Sequence, residues 1–232
     1  MGRARKLVKT VGMKEFVETY GRRYSEVLGI RLGEEDDAEI FKWFLASLLF
    51  GAPITESAAV KTFRCLEQHG VLTPGKIVRT GREGLVAILD EGGYTRYDYK
   101  TADKLLEVAN NLVGAHGGSL TRFHSVASDA RDLERRLKGL GKGVGDVTVS
   151  IFLRELRGIW ERADPYPTGL TLLAGERLGI LDKGLDGEKA LKRLKAFWAK
   201  KGVAGLNFVQ FETALTRLGK ECRRGKCNVR LG

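Results

Sequence analysis

The run Leu137-Lys138-Gly139-Leu140-Gly141-Lys142-Gly143-Val144-Gly145-Asp146 holds the residues of this chain best suited to gripping an anion. Leu133, Leu137 and Leu140 mark a helix before it, and Val147, Val149, Ile151, Phe152, Leu153 and Leu156 mark an apolar helix after it. Gly141, Gly143 and Gly145 permit positive φ and close backbone approach. Successive N–H groups in such a turn, at the head of a helix, form a concavity that suits a phosphate oxygen. Asp164 follows eighteen residues after Asp146. A carboxylate there can stabilise positive charge that develops on a sugar. It can equally cap the helix that Pro165 introduces, and the residues alone leave both roles open.

Lys142 stands on the hairpin itself, where an amine can contact phosphate or form a Schiff base with an opened sugar. Asp146 would repel a bound phosphate, so it is expected to cap the following helix and face away. Tyr94, Tyr166, Trp43 and Trp160 are aromatic residues able to wall a base pocket, although Trp43 sits on an all-apolar helix and reads as core. His69, His116 and His124 show no mutual spacing of the metal-binding kind, and no metal or cofactor is expected. His124, after Arg122 and Phe123, is placed in a loop.

The surrounding composition favours a polyanionic partner. The 232 residues include 40 Lys plus Arg against 29 Asp plus Glu, a net charge of +11. From Lys183 onward there are 13 basic and 4 acidic residues, so the final fifth carries most of that surplus and would add salt-sensitive affinity. No apolar run is long enough to span a bilayer, which argues against a membrane partner. Met1-Gly2-Arg3-Ala4-Arg5-Lys6 lacks the apolar core of a signal peptide. Three cysteines (Cys65, Cys222, Cys227) fit a reducing interior, so a cytoplasmic, nucleoid-associated protein of a prokaryotic or archaeal cell is expected.

Almost every positioning element reads as helix. Phe16, Val17, Tyr20, Tyr24, Val27 and Leu28 predict one over 13–28. Glu34-Glu35-Asp36-Asp37 opens a second, which runs apolar on all sides to Phe50 and belongs at the centre of the core. Pro53 interrupts, and Thr55-Glu56-Ser57 caps a helix to about His69. Thr73-Pro74 opens a short helix. Further helices are predicted near 82–91, 98–114, 128–140, 146–160, 168–178, 186–201 and 207–220, with no strand pattern and no internal repeat.

Residues from about 40 to 227 resemble the endonuclease III or helix-hairpin-helix superfamily of DNA glycosylases. Three segments carry the likeness: Phe44 to Phe63, Gly93-Tyr94-Thr95-Arg96 leading into Lys104-Leu105, and the Leu-x-Gly-Val-Gly hairpin with Ala163-Asp164 beyond its helix. The resemblance implies an all-α, two-lobed fold, with residues 34–158 as a helical barrel, 1–33 plus 159–232 as a second lobe, and a cleft between them. It implies a monomeric enzyme that excises a damaged or mismatched base from double-stranded DNA by flipping the nucleotide. Asp164 would be the catalytic carboxylate. Lys138, Gly141, Gly143, Val144 and Gly145, with Pro53 and Thr55, would contact DNA, and Tyr94 and Tyr166 would line the base pocket.

Three departures qualify the likeness. Bifunctional members carry a lysine two residues after the last hairpin glycine, and here that position is Val147. Lys142 is then the first candidate for an abasic-site lyase, with phosphate contact as its other role. Iron–sulfur members carry four C-terminal cysteines, whereas Cys222 and Cys227 alone remain, which precludes a four-thiolate cluster. This pair could form a disulfide, part of a zinc site, or nothing. The glutamine that many relatives insert into the base stack aligns with Pro53. A module that binds damaged DNA without catalysis is the non-enzymatic alternative.

Overall fold

A computed structural model describes residues 9–32 and 36–232; Met1–Lys6 and the Glu34-Glu35 pair of the acidic run lie outside the described residues. In chain order the elements are β1 (Lys9–Val11), α1 (Met13–Tyr20), α2 (Tyr24–Leu28), α3 (Asp37–Phe50), α4 (Glu56–Gln68), α5 (Pro74–Glu91) and α6 (Asp98–His116). They continue with α7 (Leu120–Ser125), α8 (Ala130–Lys138), α9 (Asp146–Glu155), α10 (Gly169–Arg177), α11 (Gly187–Lys201), α12 (Phe208–Arg223) and β2 (Val229–Leu231). The fold is all-α, apart from one short pair of strands among the described residues. It divides into two compact units: Leu28–Pro165, and Tyr166–Gly232 together with the chain before Leu28. The first unit reaches beyond both ends of the 34–158 lobe expected from the sequence. Its C-terminal end is drawn in because Arg131 and Arg157 hold the turn at Asp164.

In the Leu28–Pro165 unit, α3 is the central helix. Ile40, Trp43, Phe44, Leu45 and Leu49 are all fully buried, as an apolar surface on every side requires. Asp36 starts the helix by accepting the amides of Ala38 and Glu39. Asp37 accepts the Thr121 amide at 2.8 Å, which ties α7 to the head of α3. Trp43 donates Nε1–H to the Phe152 carbonyl at 3.0 Å, and Phe44 meets the Phe152 ring edge-on at 4.8 Å. Together these lock α9 against α3.

Several expected boundaries move. The two helices expected after Thr73 both form, however: within α5 they are parted at Gly81, whose φ of 68° and ψ of 176° are non-helical. The expected 146–160 helix stops at Glu155, and Gly158 turns the chain with φ 81°. His124, expected in a loop, is a buried residue of α7.

In the second unit, α12 forms the core with α1 and α10, and Phe211, Leu215 and Leu218 are buried along it. The single helix expected over 13–28 breaks into α1 and α2 at Gly21. A Cβ there would fall 2.5 Å from the Val17 carbonyl oxygen and 2.7 Å from that of Gln210, so the glycine lets α1 end tightly against α12. Strands β1 and β2 pair in parallel, Lys9 with Val229 through Val11 with Leu231. Each has three residues, too few to show alternation in sequence. Cys222 and Cys227 are joined as a disulfide, which settles the open choice between that, a zinc ligand pair and free thiols; Cys65 is free and buried.

Candidate nucleic-acid interface and catalytic carboxylate

The glycine-dense run is a helix-hairpin-helix built from α8, a turn and α9. Asp129 caps α8 by accepting the amides of Arg131 and Asp132 at 2.8 and 2.9 Å. Asp132 is itself buried, accepts the Ser128 amide at 2.9 Å and Arg136 Nε at 2.8 Å, and also pairs with Arg135. The Ser128 amide and the Arg136 hydrogen bond hold its carboxyl below the usual range despite its burial.

Of the expected DNA contacts in the turn, three serve to fasten it. Gly141 is buried, and a Cβ there would lie 2.8 Å from Val108 Cγ2 on α6. Val144 is also buried and donates its amide to the Gly141 carbonyl at 3.1 Å. Lys142 donates its amide to Glu107 Oε2 at 2.8 Å, while its side chain is exposed. Gly143 (φ 89°) and Gly145 are exposed, and their amides have no partner among the described residues. These two amides and the first turn of α9 are the groups open to an anion.

Asp146 is the first residue of α9, with Gly145 as the N-cap, so it is not the cap that the sequence led us to expect. It pairs with Lys138 Nζ at 2.9 Å, and each neutralises the other next to the turn. Val147, at the position where bifunctional relatives carry lysine, is 52% exposed.

Beyond α9 the chain is anchored by Trp160. This side chain is buried, stacks on His124 at 4.5 Å and meets Phe152 edge-on at 5.5 Å. Trp160 is therefore core and not the wall of an open pocket. Ala163 donates its amide to the Trp160 carbonyl at 3.0 Å, which delivers Asp164 at the end of a fixed turn. The Asp164 side chain is 39% exposed and accepts from Arg157 Nε at 3.0 Å. The same guanidinium donates to the Pro165 carbonyl at 2.5 Å, and Arg131 donates to the Asp164 carbonyl. Thr168 caps α10, so Asp164 does not perform the capping role that Pro165 had left open.

Arg131 also bonds Glu134 Oε1 at 2.6 Å. Burial pushes the Glu134 carboxyl above its ordinary value; Arg131 and Lys138 oppose that shift, while Asp146 and Asp164 add to it. Glu134 thus lies in the field of both the hairpin carboxylate and Asp164. Sequence reasoning missed Arg131, Glu134 and Arg157. The first two share a helix face at i, i+3, which is a visible signal; Arg157 has no local one.

A cavity of about 570 Å³ within the Leu28–Pro165 unit brings other expected residues together. Pro53 lines it from the α3–α4 turn, Tyr94 and Tyr97 from the chain before α6, and Lys142 and Gly143 from the hairpin. Lys104 of α6, also missed from sequence, lines it as well, and burial lowers its ammonium below the ordinary lysine value. Thr55 is the exposed cap of α4, accepting the Ala58 amide at 3.2 Å. Tyr166 belongs to the other unit, where it packs against Gly187. Among the described residues no group of three His, Cys, Asp or Glu side chains could hold a metal ion.

The crystal structure of H. pylori 3-methyladenine DNA glycosylase (MagIII) bound to 1,N6-ethenoadenine is similar over 93% of this chain and 99% of that chain, with a TM-score of 0.53 and 15% identity. The two proteins share a fold. At this identity the likeness establishes the architecture. No family model matches the chain, and no curated protein matches it. The hairpin and the turn at Asp164 belong to one compact unit, and no helix among the described residues is long and apolar enough to cross a membrane.

Proposed function

We propose that the protein is a DNA N-glycosylase that excises a damaged or mismatched base from double-stranded DNA, with Asp164 as the catalytic carboxylate. The observation that carries this reading is the setting of Asp164. Its carboxylate is part-exposed, its main chain and side chain are held by two arginines, and it is not used to cap a helix. A carboxylate that only stabilised the fold would be expected to be buried, as Asp132 is.

Cleavage of the N-glycosidic bond sends its electron pair to the departing base and leaves an oxocarbenium-like sugar. Asp164 stabilises that charge and orients the water that adds to the sugar carbon. The target nucleotide leaves the duplex first, since its reacting bond is inaccessible in the stack. The amides of Gly143 and Gly145 hold a backbone phosphate nearby. No amine stands at position 147, so water is the nucleophile and an intact abasic site is the product. Lys142, exposed on the hairpin, serves phosphate binding and not Schiff-base chemistry.

The decisive experiment incubates the protein with duplex oligonucleotides, each carrying one lesion, and scores strand breaks with and without alkali. Alkylated purines, including 3-methyladenine and ethenoadenine, form the first set because the structurally similar protein is a 3-methyladenine DNA glycosylase bound to 1,N6-ethenoadenine; oxidised, deaminated and mismatched bases complete it. Alkali-dependent breaks that vanish in Asp164→Asn support the proposal. Breaks without alkali, together with a borohydride-trapped adduct lost in Lys142→Ala, would replace it with a lyase. Tight binding with no product from any lesion would leave a damage-binding module.

A further inference from the structure

The cavity between the α3–α4 turn, α6 and the hairpin is not accounted for by the excision chemistry, because Asp164 does not line it. Its volume of about 570 Å³ falls in the range of roughly 300–1,000 Å³ typical of small-ligand sites. Lys104 and Lys142 line it together with Tyr94 and Tyr97, and Arg96 stands over one face of the Tyr97 ring at 5.3 Å. Lys104 packs directly under the hairpin: a Cβ at Gly143 would lie 3.1 Å from its Cε and 3.7 Å from its Nζ.

Lys104 also lacks what a half-buried ammonium normally has. The carboxylates that line the cavity are engaged elsewhere, Asp103 with Arg82 at 2.7 Å and Glu107 with the Lys142 amide at 2.8 Å. No ion pair or hydrogen bond to the Lys104 ammonium occurs among the described residues, and burial is the whole cause of its lowered pKa. A charge in this position is costly until an anion meets it. Purely structural lysines keep the ammonium in water and bury only the stem.

We propose that this cavity binds a nucleotide, with its phosphate on the Lys104 and Lys142 ammoniums and its base against the Tyr97 ring. A phosphate supplies the missing anion, and aromatic rings favour a planar base over a bare ion. The ligand is either a free nucleoside monophosphate or a nucleotide of bound DNA other than the one excised. The second source rests on the glycosylase reading; the first does not.

The test titrates dAMP, deoxyadenosine and inorganic phosphate into the full-length protein by calorimetry. In parallel it measures affinity for a duplex with one unpaired nucleotide and for its fully paired counterpart. The variants are Lys104→Met and Lys104→Arg, with thermal melts to confirm that both fold. We expect dAMP to bind more tightly than either fragment, or the unpaired nucleotide to be preferred. We expect Lys104→Met to weaken that binding by about tenfold or more, as for a lost charge-assisted contact, and Lys104→Arg to retain it. Loss confined to dAMP identifies a free nucleotide as the ligand, and loss confined to the duplex identifies the DNA strand. If Lys104→Met changes neither, the proposal is overturned, whatever the lesion panel shows for Asp164. If the wild-type protein binds no DNA and no lesion is excised, the glycosylase reading falls, while the dAMP arm still decides the cavity.

Discussion

Asp132 and Asp164 are two aspartates held by arginines in the same compact unit, and they differ in how far their side chains reach solvent. Asp132 has a side chain only 5% exposed, set among a backbone amide and two guanidinium groups. Asp164 is 39% exposed; Arg157 bonds its carboxylate and the Pro165 carbonyl, and Arg131 bonds its main-chain carbonyl. The first arrangement uses the carboxylate to fix the start of α8. The second holds both the backbone and a carboxylate that remains part-exposed. Charge and arginine proximity are common to both, so exposure is what separates the structural acid from the one proposed to be catalytic.

The strongest way to break this contrast is Asp164→Asn. Loss of the negative charge beneath the sugar should cut single-turnover excision by about 10²–10³-fold, with affinity for lesion DNA within about twofold of wild type. A small effect would mean that the two aspartates do not differ in role. Asp132→Asn should do the reverse. Its carboxylate is held below the ordinary aspartate value of 3.8, so its stabilisation is present above that pH and disappears as pH falls through the lowered value. The variant should melt at a lower temperature at neutral pH and lose less stability on acidification than wild type does, while its folded fraction excises at the normal rate.

Arg157→Met sharpens the comparison by removing the guanidinium that fixes Asp164 without touching the carboxylate. A loss of positioning should lower kcat by roughly tenfold with KM little changed. Equal loss in binding would assign Arg157 to DNA contact instead. The hairpin provides a matched test in two glycines. Gly141→Ala forces a methyl against Val108 and should destabilise by about 1–3 kcal/mol, as overpacking does, with DNA affinity per folded molecule retained. Gly143→Ala strains an exposed turn at φ 89° and should weaken DNA binding by more than it lowers the melting temperature.

These contrasts mark where the sequence could be read and where it could not. The hairpin was legible because its glycine density, between two apolar helices, defines it. The buried face of α3 was legible from its continuous apolar run. What Gly141 and Val144 do was not, since nothing in the local pattern says that one side of the turn packs on α6 while the other faces solvent. The same holds for Arg157, whose partner is set by the turn at Gly158 and the burial of Trp160. The break at Gly21 depends on the approach of α12, nearly two hundred residues away in the chain. The pairing of β1 with β2 joins segments that are both too short to announce themselves.

Glu134 offers the most delicate test, because it sits in the field of both Asp146 and Asp164 without belonging to either's hydrogen-bond set. Burial is the main cause of its raised pKa, so the sign of its linkage is opposite to that of Asp132. The stabilisation it contributes is full below the ordinary glutamate value of 4.5 and is lost as pH rises through the raised value. Glu134→Gln should therefore flatten the pH dependence of melting just above 4.5, with a change of less than about 1 kcal/mol at neutral pH. Glutamine keeps an oxygen for Arg131, so the grip on the Asp164 carbonyl survives and excision should stay within about twofold. Removing a negative charge near the hairpin should also strengthen DNA binding slightly at low salt, and that gain should fade as salt screens it. If excision instead fell as far as in Asp164→Asn, Glu134 would be acting on the substrate, and the division between one reactive carboxylate and its supporting neighbours would have to be redrawn.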